Sequence, residues 1–379
     1  MNIVFLSNYF THHQKPLSDA LSKLADYSFV ATEPMTQERL SLGWGMDDPD
    51  YVCYYDREPQ AVTALIDGAD AVIVGTVPPC LVKYAVAQGK LVFRYSERPL
   101  KKGSQWSKYL PRLVKWHLQN PAGKPIYLLC AGAYVAGDYG RFGLFRGKAY
   151  RWGYFPATMT YDPAELSEKK KPGRILWAGR FLDWKHPDDA IRAAALLKKA
   201  GAAFQMDLIG RGELEEKLRA MIEDMDLGDC VHLLGAMKPE EVRQHMEEAE
   251  VFLFTSDRQE GWGAVLNEAM NSGCAVVASD AIGAVPYLLR HKENGCVYHS
   301  GDVDGLARQI RELLENKEES RKLGAAAYRT VAEQWNGEIA ARRLIHLTEK
   351  LLAGEKRPEL YEDGPCSPAP TIREDWFKK

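Results

Sequence analysis

The sequence predicts an α/β protein of two doubly wound halves, each a parallel sheet covered by helices. Three observations lead there. Short runs rich in Val, Ile and Leu alternate along the whole chain with longer amphipathic stretches, the pattern of strands buried on both faces beneath covering helices. At 379 residues the chain exceeds what one hydrophobic core organises, so two domains of roughly 150 to 200 residues each are expected. A polar segment with Pro near both ends, YDPAELSEKKKPG at 161–173, divides the strand series and reads as a linker beside a central cleft.

Taken in order, the apolar runs place first-half strands at 3–6, 72–74, 91–95 and 126–129. In the second half they fall at 174–178, 205–209, 231–234, 251–254 and 275–278, with helices in the gaps. From 301 to 352 the pattern is almost continuously helical, interrupted near 335–337. After Gly354 the chain is rich in Pro and charge with little periodicity, which reads as a surface wrap or a partly disordered tail. The expected domains are therefore 1–160 and 174–335, joined by the linker 161–173. A C-terminal helix and tail, 336–379, is expected to pack back toward the first domain.

Composition excludes several classes. Apolar residues at 46% and charged residues at 27% are ordinary for a globular protein. A net charge of −3 argues against a nucleic-acid binder and requires any anion to be held locally. The N-terminus MNIVFLSNYF lacks a basic region and a cleavage site and reads as a strand rather than a signal peptide. No apolar run reaches spanning length. Seven scattered cysteines, odd in number and without a CxxC pair, disfavour disulfides and zinc, and a cytoplasmic location is expected.

Three segments of the second half carry candidate chemistry. In ILWAGRFLDWKHPDDAIRAAALL, Gly179, Arg180 and Lys185 occupy a loop leaving a strand and entering a helix. An Arg fork, a mobile Lys and helix N-terminal amides together suit a diphosphate, although a solvated loop with chance charges fits the segment alone. In FTSDRQEGWGAVLNEAMNSG, Glu260 precedes the Gly261-Trp262-Gly263 turn and Glu268 lies in the second turn of the next helix. Carboxylates so placed accept bonds from sugar hydroxyls; helix capping by Glu260 and a surface Glu268 is the competing reading. In LIGRGELEEKL, Gly210 and Gly212 bracket Arg211 where backbone can approach a nucleotide, or simply make a tight turn.

Together these segments resemble glycosyltransferase family 4 over 174–314: AGRFLDWKHP is similar to its G-R-x4-K motif, IGRGELEEKL to its Gly-rich turn and EGWGAVLNE to its E-x7-E signature, followed by SDAIGAVPYLL. The resemblance implies a GT-B fold, two Rossmann-like domains with parallel sheets facing a central cleft. It implies a retaining, metal-independent transfer of sugar from a nucleoside-diphosphate-sugar, UDP- or GDP-linked, with no cofactor. Arg180 and Lys185 would bind the diphosphate, Glu260 the transferred sugar and Glu268 the ribose. Backbone at Trp262, Gly263 and Ala264 would touch sugar and phosphates. Where many members carry an acid after the Gly-rich loop this chain has Pro286-Tyr287, so that contact is not carried over. Base contacts are expected from backbone near 234–238.

The first half departs from the family, since its first strand is followed by SNYFTHHQKPLSDAL and no glycine occurs before Gly43. The dinucleotide fingerprint is thereby absent. His12, His13 and Gln14 stand at the strand-to-helix turn, where a neutral His suits an acceptor hydroxyl or acid–base work, His12 first; a polar helix start is the alternative. Asp138 is the sole acid between Glu97 and Asp162 and a candidate acceptor contact. Between Arg98 and Gly137 there is no acid, while Lys and Arg interleave with Trp106, Tyr109, Leu110, Leu113 and Trp116. Segment 98–124 therefore suits an anionic membrane surface or a lipid-linked acceptor, or else is an ordinary helix with buried tryptophans. The leading expectation is a cytoplasmic enzyme, peripheral on the inner membrane face, glycosylating a glycan or lipid-linked acceptor in surface polysaccharide or glycolipid synthesis. A sugar-nucleotide 2-epimerase and a non-catalytic scaffold of the same fold are the alternatives.

Overall fold

In a computed structural model, the structure describes residues 1–36, 45–103 and 106–378, with Trp106 described by its backbone alone. The described chain forms two compact units, Met1–Ala157 with Trp335–Arg373, and Thr158–Gln334 with Glu374–Lys379.

The first unit is built on a seven-stranded sheet in the order β3-β2-β1-β4-β5-β6-β7. Its strands are β1 (Asn2–Ser7), β2 (Asp26–Ala31), β3 (Val52–Tyr54), β4 (Ala71–Val74), β5 (Leu91–Ser96), β6 (Ile126–Ala131) and β7 (Ala149–Trp152). All neighbours pair in parallel. The four runs predicted from sequence are β1, β4, β5 and β6, whose side chains are buried on both faces over most of their length. β2 has a buried Phe29-Val30-Ala31 run that the sequence reading passed over, β3 has three half-buried residues, and β7 alternates half-buried with buried positions.

Helices α1 (Lys15–Leu24), α2 (Pro59–Gly68), α3 (Pro79–Ala87), α4 (Tyr109–Gln119) and α5 (Val135–Gly140) belong to this unit. The C-terminal helix, Gly337–Leu352, packs on α1. A Cβ on Gly337 would lie 3.0 Å from the Leu17 nitrogen, so glycine permits that approach. The tail is not disordered here: the amides of Cys366 and Ala369 donate to carbonyls of Arg151 and Ala149, and Arg151 N–H to Ser367, at 2.8–2.9 Å. Residues 366–369 so cover the open edge of β7, whose unpaired backbone groups provide the partners that composition did not reveal.

The second unit holds a six-stranded parallel sheet ordered β10-β9-β8-β11-β12-β13. Its strands are β8 (Lys171–Ala178), β9 (Gln205–Ile209), β10 (Val231–Gly235), β11 (Ala249–Phe254), β12 (Ala275–Ser279) and β13 (Cys296–Tyr298). Only β13, a three-residue edge strand, has no counterpart in the sequence reading. Helices α6 (Pro163–Glu168), α7 (Pro187–Lys199), α8 (Glu215–Asp224), α9 (Pro239–Glu248), α10 (Val265–Asn271), α11 (Val285–Leu288), α12 (Val303–Glu315) and α13 (Lys317–Glu333) complete it, making Gly337–Leu352 α14. The polar segment 161–173 is thus structured, containing α6 and the start of β8. Lys170 explains part of this, since its buried ammonium donates to Met246 and Ser272 carbonyls at 2.9 and 2.5 Å. The helical stretch breaks twice, each time where an Asn caps the next helix: Asn316 accepts from Glu319 N–H and Asn336 from Ile339 N–H.

Candidate active site

The order of the second sheet reverses at β8, with β9 and β10 to one side and β11, β12 and β13 to the other. Ligands of open α/β sheets bind beyond the carboxyl ends of strands at such a switch point, so the loops leaving β8 and β11 define the site. Gly179 N–H donates to the Ile209 carbonyl (3.0 Å) and Phe181 N–H to that of Arg211 (2.9 Å), which laces the 179–181 loop to the turn after β9. A Cβ at Gly210 would lie 1.8 Å from the Gly179 oxygen, and one at Gly212 would lie 2.4 Å from that of Phe181. Both glycines are thus required by loop-on-loop packing, which fits the tight turn that the sequence left open.

Lys185 ends a short 3-10 turn, and His186, at φ 48°, redirects the chain into α7. Lys185 Nζ lies 2.6 Å from Glu260 Oε2, with the two side chains 14% and 12% exposed. Ser256 Oγ donates to the same oxygen at 3.2 Å. Lys185 is further held over the Trp184 ring, 4.6 Å from its centroid. Its backbone is fixed by Thr255, whose hydroxyl donates to the Lys185 carbonyl at 2.7 Å and accepts from Trp177 Nε1 at 2.8 Å. Thr255 is buried, so this chain of bonds is shielded from water. Arg180, earlier in the same loop, is exposed, and its guanidinium makes no ion pair or hydrogen bond with the described residues.

Glu268 lies in the first turn of α10 rather than the second, because the helix begins at Val265. No described residue donates a hydrogen bond to its carboxylate, and none joins it to the Lys185–Glu260 pair. Burial pushes its carboxyl above the usual range, with Arg243 opposing. The Trp262 side chain is fully buried, its indole N–H donating to Asn267 Oδ1 at 2.9 Å, so it serves packing. Gly263 has φ 88°, and a Cβ there would meet the Phe254 ring at 2.3 Å. Ala264 is the N-cap residue of α10. Tyr287 is buried, its ring centroid 6.5 Å from that of Trp262, and so packs in the core. Near 234–238, Gly210 N–H donates to the Gly235 carbonyl at 2.8 Å, tying the Gly-rich turn to the end of β10.

In the first unit the switch point lies between β1 and β4. His12 and His13 stand in the turn after β1 with ring centroids 3.9 Å apart. Burial, aided by His12, lowers the His13 pKa to about 3, so that ring is neutral at physiological pH. Its neighbour Tyr154 (centroids 6.5 Å) donates to Glu97 at 2.7 Å, and Lys101 pairs with the other Glu97 oxygen at 3.2 Å. Gln14 is committed locally, accepting from the Thr11 amide and hydroxyl. Asp138 is 3% exposed and pairs with the equally buried Arg98 at 3.2 Å while accepting from Leu100 N–H at 3.0 Å. Its carboxylate neutralises a buried guanidinium and offers an acceptor no open face. Trp116 likewise turns inward against Tyr139 and Phe142, as in the alternative of a helix with buried tryptophans. The Trp106 side chain, Ser104 and Gln105 lie outside the described residues.

Sequence reasoning did not single out Thr255, Ser256 or Trp177 beside Lys185, nor Glu97 and Tyr154 beside His13. Thr255 and Ser256 directly follow β11 inside the quoted motif, so position at a strand's carboxyl end was the available signal. Among the described residues no group of three His, Cys, Asp or Glu is placed to hold a metal, and no helix is long and apolar enough to cross a membrane.

Comparison with known proteins agrees with this architecture. Residues 159–330 match the family model of glycosyl transferases group 1. The chain is similar to the amylovoran biosynthesis glycosyltransferase AmsK of Erwinia amylovora, 35% identical over 203 residues, covering 51% of this chain and 50% of that one. It is also similar to a GDP-mannose-dependent alpha-(1-6)-phosphatidylinositol monomannoside mannosyltransferase of Mycobacterium tuberculosis, 27% identical over 195 residues, covering 48% of this chain and 50% of that one. The chain thus spans about half the length of the curated relatives it matches. Among solved structures, Anabaena HepE in complex with UDP superposes with a TM-score of 0.70 at 16% identity, over 93% of this chain and 100% of that one. The pneumococcal O-GlcNAc transferase GtfA, in complex with UDP and GlcNAc, gives 0.68 at 13%, over 93% and 99%. At such identities the likeness is one of fold. The two parallel-sheet units thus have the GT-B fold, and the likeness to glycosyl transferases group 1 rests on residues 159–330 of the second.

Proposed function

We propose that the chain transfers a sugar from a nucleoside-diphosphate-sugar to a glycan or lipid-linked acceptor, with retention, in surface polysaccharide or glycolipid synthesis. The observation that carries the reading is the Lys185–Glu260 pair at the switch point of the second sheet, 2.6 Å apart and largely shielded. In this reading the second unit, expected at 174–335, binds the donor, and the first, expected at 1–160, binds the acceptor. The donor diphosphate takes up the charges of exposed Arg180 and of Lys185, already aimed by Glu260 and Thr255. Glu260 accepts from hydroxyls of the transferred sugar while remaining bonded to Lys185, and Glu268, lacking a donor of its own, accepts from the ribose. Backbone at 262–264 approaches sugar and phosphates, and the segment 234–238 with the Gly210–Gly212 turn bounds the base. UDP and GDP are the candidate nucleotides.

Bond making follows from the same placement. The acceptor hydroxyl attacks the anomeric carbon on the face the diphosphate leaves, passing its proton to the departing phosphate oxygen. Arg180 and Lys185 stabilise the charge that develops on the diphosphate. His12 and His13, the latter neutral, are proposed to hydrogen-bond the acceptor rather than carry charge. The test is release of nucleoside diphosphate from UDP- and GDP-sugars in the presence of a polyprenyl-diphosphate-linked glycan, with the product's anomeric configuration read by NMR. Release that is acceptor-dependent and lost in Glu260→Gln supports the reading. Interconversion of the sugar nucleotide without transfer would instead support a 2-epimerase, and binding without turnover a scaffold.

A further inference from the structure

Helix α4 shows an outer face unlike the rest of the described surface. Its inner side, with Tyr109, Leu113 and Trp116, packs on the core of the first unit. Leu110, Val114 and Leu118 recur every four residues on the opposite side and are 68%, 58% and 71% exposed. These are the three most exposed large apolar side chains among the described residues. Scattered exposed aliphatics need no explanation, but a continuous stripe over two turns of one helix marks an interaction surface. The stripe is bordered by exposed Lys108 and Lys115, and no Asp or Glu occurs anywhere between Arg98 and Gly137.

We infer that this face of α4 docks the first unit on an anionic lipid surface, inserting Leu110, Val114 and Leu118 at the headgroup boundary while Lys108 and Lys115 meet lipid phosphates. Charge selects this occupant: a second copy of the chain would bring the same lysines against each other, whereas an anionic bilayer complements them and accepts the aliphatics between them. Of the residues the sequence suggested, Leu110 lies on this outer face, joined by Val114 and Leu118, whereas Trp116 packs inward. The inference deepens the lipid-linked-acceptor part of the proposed function and rests on it for its biological sense. Its physical content stands separately.

The test is sedimentation of the purified chain with vesicles of phosphatidylcholine alone and with a one-third share of phosphatidylglycerol, at low and high salt. Binding only to the anionic vesicles, weakened by salt, is expected. A triple variant, Leu110→Ser with Val114→Ser and Leu118→Ser, is expected to lower binding roughly tenfold or more, as is Lys108→Glu with Lys115→Glu. Both variants should keep the wild-type circular dichroism melt, because none of the five side chains is in the core. Nucleotide titration of the same variants separates the readings. Lost vesicle binding with intact nucleotide binding supports the docking face, and intact vesicle binding without nucleotide binding would sink the donor-site reading alone. No vesicle binding by the wild type, equal binding by the variants, or concentration-dependent dimerisation in sedimentation velocity that the triple variant abolishes would overturn the inference.

Discussion

Removing Lys185 tests whether its pairing with Glu260 is a built feature of the site. The pair is 2.6 Å long and its side chains are 14% and 12% exposed. Breaking a fully buried pair costs about 3–5 kcal/mol because one charge is stranded, and an exposed pair is worth at most about 1 kcal/mol. A pair this shielded lies between, so Lys185→Ala is expected to destabilise the protein by about 1–3 kcal/mol. Glu260→Gln in the same background removes the stranded charge. The double variant should therefore lose at least about 1 kcal/mol less than the sum of the two single losses, well outside the roughly 0.3–0.5 kcal/mol of independent sites. Nucleotide affinity should behave differently. Loss of one charge-assisted contact to phosphate, about 1.5–3 kcal/mol, weakens binding by about 10- to 150-fold, and Glu260→Gln should not restore it. Urea melts of the four proteins with calorimetric titration of nucleotide supply both readouts. Additive stabilities, or unchanged affinity in Lys185→Ala, would refute the reasoning.

Further expectations follow from single contacts. Thr255→Val breaks the bonds from Trp177 and to the Lys185 carbonyl; it is expected to weaken nucleotide binding several-fold, with recovery in Thr255→Ser, and recovery of stability without recovery of binding would count against a positioning role. Glu268→Gln should raise the melting temperature at neutral pH, because a carboxyl whose folded pKa is raised loses its stabilising share as pH rises and it ionises; the same variant should bind nucleotide more weakly, and a lowered melting temperature contradicts the account. His13 has a folded pKa lowered from 6.5 to about 3, so its contribution is complete above pH 6.5 and declines as pH falls toward 3. That decline is at most about 1.4 kcal/mol per pH unit, so between pH 6.5 and 5 wild type should lose up to ~2 kcal/mol more than His13→Asn in urea melts, and parallel profiles would exclude a buried neutral ring. Gly210→Ala forces a methyl to 1.8 Å from a backbone oxygen; a loss on the order of 3 kcal/mol or more is expected, and a native-like melt would show that the two loops do not pack as described.

How much was legible in the sequence depended on burial. Strands β1, β4, β5, β6, β8, β9, β11 and β12 have largely buried apolar runs and could be read directly, as could β10. β3, β7 and β13 are edge strands of three or four residues, too short for an apolar run that stands out in sequence. β2 follows α1 without a turn residue and opens with Asp26, which hid its boundary. In the site, the motifs brought forward Lys185 and Glu260 because their chemistry is local in sequence. Thr255 and Trp177 act through a hydrogen bond between residues 78 apart in sequence, which no spacing rule encodes. Asp138 was misjudged because order along the chain says nothing of Arg98, 40 residues earlier, turning back to meet it in the interior. For the tail the sequence left a surface wrap and partial disorder open, because the partners that order it are backbone groups of an edge strand, invisible to composition.

The central claim is that the loops leaving β8 and β11 hold a nucleoside diphosphate. Its most direct test is calorimetric titration of the purified chain, without added metal, with UDP, GDP, dTDP and ADP, repeated on Lys185→Ala. The account predicts that one nucleotide binds well above the others and that the variant loses most of this affinity while remaining folded. Absence of binding by all four, or equal binding by the variant, would contradict it.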